Sequence, residues 1–244
     1  MRLFWMLFYW SITIVFTLFL YLCSYLPRVF TDEYYRLLCR LWCRLFVRAL
    51  GVELHLIFKN KNTLPEQFIV IANHPSSLED FGMFAYFDVY PLSKEGVKHW
   101  YFLGRMAERA GVIFFNRQDP ASRYTAKQTM ISALTDGKNV ALFPEGGCFG
   151  KRLYKEFKTG AFEASLSTGS PIIPVFLHYE DQEAFEWLDP DSLLKNLWQI
   201  MTAKKHHANY YIYDAIEPSG FNDEATYTEF VYSKYLDWQK THLG

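Results

Sequence analysis

The chain has 244 residues, of which 50% are hydrophobic and 19% aromatic, and its formal net charge is -1. That length allows a short N-terminal anchor and one domain with a sizeable core, and the near-neutral balance excludes the dominant basic field that nucleic-acid binding requires. Cys23, Cys39, Cys43 and Cys148 form no CxxC pair, so neither a disulfide framework nor a zinc site is expected, and no metal is called for.

Residues 3–26 contain no charged side chain. A run of this length can cross a bilayer, for which roughly 20 apolar residues suffice. It exceeds a signal-peptide core and lacks a small-residue cleavage site, so it is expected to remain in the mature protein as an anchor. After Pro27, residues 32–50 read as a second helix stopped by Gly51. Arg36, Arg40, Arg44 and Arg48 recur every four residues along it. The expectation is an amphipathic helix in the headgroup layer, its arginines reaching lipid phosphates. By the positive-inside rule, the rest of the chain then lies on the cytoplasmic side of the membrane. Residues 3–26 could span the bilayer or fold back on 32–50 within one leaflet. Residues 1–50 thus form a membrane anchor with an interfacial helix, and 51–244 a single domain.

From residue 52 the texture alternates. Strands are predicted at 52–58, 68–72, 112–115, 140–143, 172–177 and 209–213. Helices are predicted at 77–87, 122–135, 161–168, 193–200 and 223–241. This alternation implies an α/β domain with a central, mostly parallel sheet flanked by helices, and chemistry on loops beyond the strand ends.

Three strand ends carry chemistry. The first continues as NHPSSLED, with His74 in the turn and Glu79 and Asp80 in the first turn of the next helix. A carboxylate on one ring nitrogen fixes the imidazole tautomer and leaves the other nitrogen free to take a proton. The second, GVIFFNR, ends on Arg117, a planar fork of donors suited to phosphate. The third, ALFPEGG, offers Glu145 to substrate hydroxyls or to Arg117, and Gly146 to a close backbone approach. Lys158 and Gly160 precede a helix N-terminus, a good place for an anion.

NHPSSLE, GVIFFNR, FPEG and PIIPV, in that order, resemble the four blocks of the lysophospholipid acyltransferase family, whose best-known members convert lysophosphatidic acid into phosphatidic acid. The resemblance covers about residues 35–175. It implies a membrane-bound O-acyltransferase that moves a fatty acyl group from acyl-CoA or acyl carrier protein to the free hydroxyl of a lysophospholipid, without a further cofactor. By resemblance His74 is the general base, Arg117 grips the acceptor phosphate, and Glu145 with Gly146 binds the acceptor. Transfer is direct, with no covalent intermediate.

Two positions depart from the family pattern. The fifth residue after His74 is Glu79 where the family usually has Asp, and either Glu79 or its neighbour Asp80 orients the ring. Gly147 and Cys148 stand where the family commonly has Thr-Arg, so a cation is lost that Lys151, Arg152 or Lys158 could replace. The alternatives are another lysolipid acceptor, or a silent membrane adaptor that keeps the fold. A serine esterase built on Ser76 or Ser77 is disfavoured by the lack of a G-x-S-x-G elbow.

Overall fold

A computed structural model describes residues 2–27, 32–150, 152–153, 156–187 and 192–243; Lys151 lies outside them. Strands β1 (Glu53–Phe58), β2 (Ile69–Ala72), β3 (Tyr90–Lys94), β4 (Ile113–Phe115), β5 (Val140–Leu142), β6 (Ile172–Tyr179) and β7 (His207–Ile212) make one sheet in the order β1-β7-β6-β2-β5-β3-β4. Every neighbouring pair is parallel except β6 and β7. Central β2 is buried along its whole length, as a strand covered on both faces must be, and its sequence IVIA has no polar side. The polar residues that follow it therefore emerge at the parallel strands' C-terminal edge, where β5 also delivers its loop.

The helices are α1 (Arg2–Cys23), α2 (Asp32–Ala49), α3 (Leu78–Tyr86), α4 (Tyr101–Arg109), α5 (Pro120–Thr135), α6 (Gly160–Thr168), α7 (Gln182–Phe185), α8 (Leu193–Thr202) and α9 (Glu224–Leu243). Strand β3, helix α4 and the single turn of α7 are absent from the elements expected from sequence. Pro91 argues against a strand and Gly104 against a helix. Yet β3 bridges β5 and β4, each end pairing with a different neighbour. At Gly104 a Cβ would strike the Lys98 carbonyl, so the glycine permits the short 3-10 turn before α4 to pass close by.

Helices α1 and α2 form an antiparallel hairpin. Met6, Thr13 and Leu20, seven residues apart, make the buried stripe of α1. The Trp42 indole donates to Thr17 Oγ1 at 2.8 Å, and the Tyr35 hydroxyl to the Leu20 carbonyl at 3.1 Å. Both ends of α1 are also tied to the domain. Arg2 donates to the Met201 carbonyl at 3.0 Å, and Arg105 donates to Ser24 Oγ at 3.0 Å. The outward face of α1 carries Leu3, Phe4, Val15 and Leu22, each roughly two-thirds exposed.

The arginine stripe of α2 divides: Arg36 is buried and Arg40 half-buried, whereas Arg44 and Arg48 remain exposed. Arg36 is buried, donates to Asp88 Oδ1 at 2.9 Å and to the carbonyls of Val89 and Ala110, and lies 3.6 Å from the Tyr90 ring. Arg40 approaches Asp88, Arg44 donates to the Ala85 carbonyl, and Arg48 donates to the Tyr9 hydroxyl. A buried guanidinium needs this many partners to offset its lost hydration. Arg36, Arg40 and Arg44 fasten α2 to the sheet edge and to α3, Arg48 reaches α1, and the apolar side of α2 joins the main core.

Helix α3, which carries the acids after His74, packs through Gly82. A Cβ there would overlap the Tyr210 hydroxyl of β7. Gly82→Ala is expected to lower unfolding stability by about 1–3 kcal/mol through overpacking. Denaturant titration checks this, and adding Tyr210→Phe should recover much of the loss by removing the clashing oxygen.

Candidate active site

The Asn73 side chain pairs with the backbone of Leu177 as another strand would, accepting from its N–H at 2.7 Å and donating to its carbonyl at 3.0 Å. This clamp extends β2 by one residue along β6 and sets the direction in which the chain leaves the sheet. His74 follows, 5% exposed, its ring stacked on Phe143 from the end of β5 at 4.1 Å between centroids. The His74 backbone N–H donates to Glu145 Oε1 at 2.8 Å. One oxygen of the FPEG carboxylate thus fixes the histidine's main chain. Glu145 is buried and is not among the residues lining the cavity.

Glu79 is fully buried, and its Oε2 lies 3.4 Å from His74 Nδ1. Its other oxygen accepts from the Ser76 backbone N–H at 2.9 Å and from the Tyr179 hydroxyl at 2.7 Å. A carboxylate held by two donors on one oxygen turns the second toward the ring without rotational freedom. Burial opposes charge on the His74 imidazole, but the adjoining Cys148 sulfur and the Glu79 carboxylate outweigh it and hold its pKa well above the ordinary histidine range. Asp80, one residue on, lines the cavity beside His74, and burial raises its pKa.

His74, Asp80 and Arg117 share one cavity of about 710 Å³ with Gly146, Gly147 and Cys148. Its other end is apolar, walled by Trp42, Phe81, Phe84, Leu103 and Met106. Arg117 Nε is buried without a hydrogen-bond partner among the described residues. That N–H is a donor left for a ligand to satisfy, while the guanidinium as a whole also acts on the nearby Asp80 carboxylate. Lys94 stands at the same wall.

Lys158 does not line this cavity; it is exposed, and its stem passes beside Gly146 while its N–H holds the Pro144 carbonyl at 2.8 Å. Nearby in α6, Glu163 takes a 2.6 Å bond from the Thr159 hydroxyl and pairs with Lys127. Ser76 is wholly buried and the Ser77 hydroxyl donates to Asn196 Oδ1 at 2.6 Å, so neither presents a nucleophile to the ring.

Reasoning from sequence misses Tyr179, Asn196 and the placement of Cys148. Tyr179 and Asn196 reach the histidine turn from 100 or more residues away, and nothing local in their surroundings signals it. The one available sign is the polar ending of the apolar run of β6.

Comparison with known proteins identifies the family. The family model described as Acyltransferase matches residues 55–178, half of the chain. A 1-acyl-sn-glycerol-3-phosphate acyltransferase of Neisseria gonorrhoeae is 30% identical over 145 residues, covering 58% of this chain and 57% of the relative. A lyso-ornithine lipid O-acyltransferase of Rhodobacter capsulatus is 28% identical over 177 residues, 68% of this chain and 62% of the relative. The chain thus spans less than two thirds of the length of these relatives. The crystal structure of a 1-acyl-sn-glycerophosphate acyltransferase from Thermotoga maritima shares the fold, with a TM-score of 0.70, 19% identity and 98% coverage of both chains. The matched segment begins in β1, ends in β6 and contains the histidine turn, the Arg117 strand end and the FPEG loop. The chain belongs to the acyltransferase family.

Proposed function

We propose that the protein transfers a fatty acyl group from a thioester donor, acyl-CoA or acyl carrier protein, to the free hydroxyl of a lysophospholipid, with lysophosphatidic acid as the acceptor the site suits best. His74 takes the hydroxyl proton as the oxygen attacks the thioester carbonyl, and Glu79 steadies the imidazolium that forms. Arg117 receives the acceptor phosphate. The apolar end of the cavity takes the acyl chain, and no covalent intermediate is required. The outward apolar face of α1 sits in the membrane, with the catalytic domain on the cytoplasmic side, so that a lipid acceptor can enter at headgroup level.

One observation supports this reading above others: a buried guanidinium nitrogen without a partner among the described residues shares a cavity with a carboxylate-oriented imidazole. A silent adaptor has no physical use for that pair. The test is a panel of acceptors with oleoyl-CoA: lysophosphatidate, lysophosphatidylcholine, lysophosphatidylglycerol, glycerol 3-phosphate and a lyso-ornithine lipid. Lysophosphatidate should be preferred. Arg117→Ala should raise its KM about 10–100-fold, the worth of a charge-assisted hydrogen bond, with kcat changed far less. Equal use of all headgroups would overturn the phosphate assignment. Preference for the lyso-ornithine lipid would point to the acceptor of the Rhodobacter relative, in keeping with Cys148 standing where the family commonly has a cation.

A further inference from the structure

Cys148 is a cavity residue that the proposed reaction does not use. Its Sγ lies 3.3 Å from the Ser76 carbonyl, to which the thiol donates, so it sits against the turn that carries His74 and lines the same cavity as the ring. Gly146, in the left-handed region at φ 73°, turns the FPEG loop back so that the next residues re-enter the cavity wall. The thiol is half-buried and faces the same space as His74, Asp80 and Arg117. The thiol and the imidazole therefore face one space, and behind the ring His74 Nδ1 lies 3.4 Å from Glu79 Oε2. That is the arrangement by which a thiol becomes a nucleophile.

Resting on the acyl-transfer reading of this cavity, we propose that Cys148 is itself an acyl acceptor when the donor thioester is bound without a lysolipid. The thiol passes its proton to His74 and the thiolate attacks the donor carbonyl. The bond between that carbonyl and the carrier sulfur breaks, a new thioester forms on Cys148, and the imidazolium returns the proton to the departing carrier thiolate. One thioester replaces another, so no further reactant is consumed. A thiolate is a stronger nucleophile than an alcohol, so the exchange needs less help from the site than the oxygen transfer does.

Burial pushes the Cys148 thiol up and the His74 ring pulls it back, so the thiolate forms in step with proton transfer rather than standing free. Cys39 and Cys43 line the apolar end of the same cavity and serve as internal controls. Burial pushes the Cys39 thiol up to about 12 and Cys43 also upward, and no imidazole is among the groups acting on either. The same imidazole thus serves whichever nucleophile shares the cavity with the donor. With a lysolipid bound, its hydroxyl takes the acyl group directly; without one, Cys148 holds it.

The experiment uses the full chain, in detergent, with oleoyl-CoA and no acceptor, followed by intact-mass measurement and peptide mapping. One oleoyl group should appear, on Cys148, and neutral hydroxylamine should remove it. The adduct should be lost in Cys148→Ala and strongly reduced in His74→Ala. A parallel arm adds the acceptor that the panel identifies and measures transfer. Transfer to the acceptor without modification of Cys148 would overturn the proposal while leaving the acyl-transfer reading intact. Modification confined to Cys23, Cys39 or Cys43 would overturn it equally. Failure of both arms would sink the acyl-transfer reading and the proposal with it.

Discussion

His74→Ala is expected to reduce acyl transfer by about 10³-fold, within the range that a positioned general base supplies. The initial rate at saturating donor and acceptor is the measure, with circular dichroism to show that the fold persists. The fold should tolerate the change, because the turn is held from the main chain. The Asn73 clamp on Leu177 and the bond from the His74 amide to Glu145 do not involve the imidazole. A base must be neutral to accept a proton. The ring's pKa is held above the ordinary histidine range, so the rate should climb with rising pH through and beyond the interval, near pH 6.5, where an exposed histidine would already have lost its proton. In the alanine variant that rise should vanish with the rate. A variant that kept its activity would remove the imidazole from the mechanism.

How far the sequence discloses this depends on which interactions are local. NHPSSLE, GVIFFNR and FPEG each end a strand, and a parallel sheet brings the C-terminal ends of its strands to one edge. His74, Arg117 and the glycines after Glu145 could thus be placed at one mouth without coordinates. The alternation of apolar runs located the other strands, whereas β3 and α4 were hidden because Pro91 and Gly104 carry the wrong propensities and are tolerated only through their tertiary neighbours. The protein partners of the α2 arginines were hidden for a related reason. A period of four places them on one face, but period alone cannot say whether that face meets lipid or protein. Asp88 and the carbonyls of Ala85, Val89 and Ala110 that receive them lie 41 to 74 residues away. Glu145 is the opposite case: its position in the loop was legible, but its direction was not. A carboxylate one residue past a proline can face the cavity or the neighbouring turn, and the backbone N–H of His74 decides it.

Glu79→Gln is expected to cost about 10³-fold in kcat, the worth of the base itself, by the same tautomer change that costs about 10⁴-fold when the carboxylate behind a catalytic histidine becomes an amide elsewhere. The tautomer of the ring decides the effect. As a carboxylate, Oε2 only accepts, so at 3.4 Å it favours the proton on His74 Nδ1 and leaves the opposite nitrogen free as the base. In the glutamine variant, the oxygen is the group suited to the two donors already present, the Ser76 amide and the Tyr179 hydroxyl. The NH₂ then faces Nδ1 and donates to it. The ring proton is driven to the other nitrogen, and the base is lost although every heavy atom keeps its place. Two readouts separate this from simple unfolding. Stability should change little, because the bonds to Ser76 and Tyr179 survive. The acid limb of the residual rate should move to lower pH, because the carboxylate that raises the His74 pKa is gone while the burial that lowers it remains. An unchanged rate, or a limb that stayed in place, would show that Glu79 supports the fold of the turn and takes no part in setting the base.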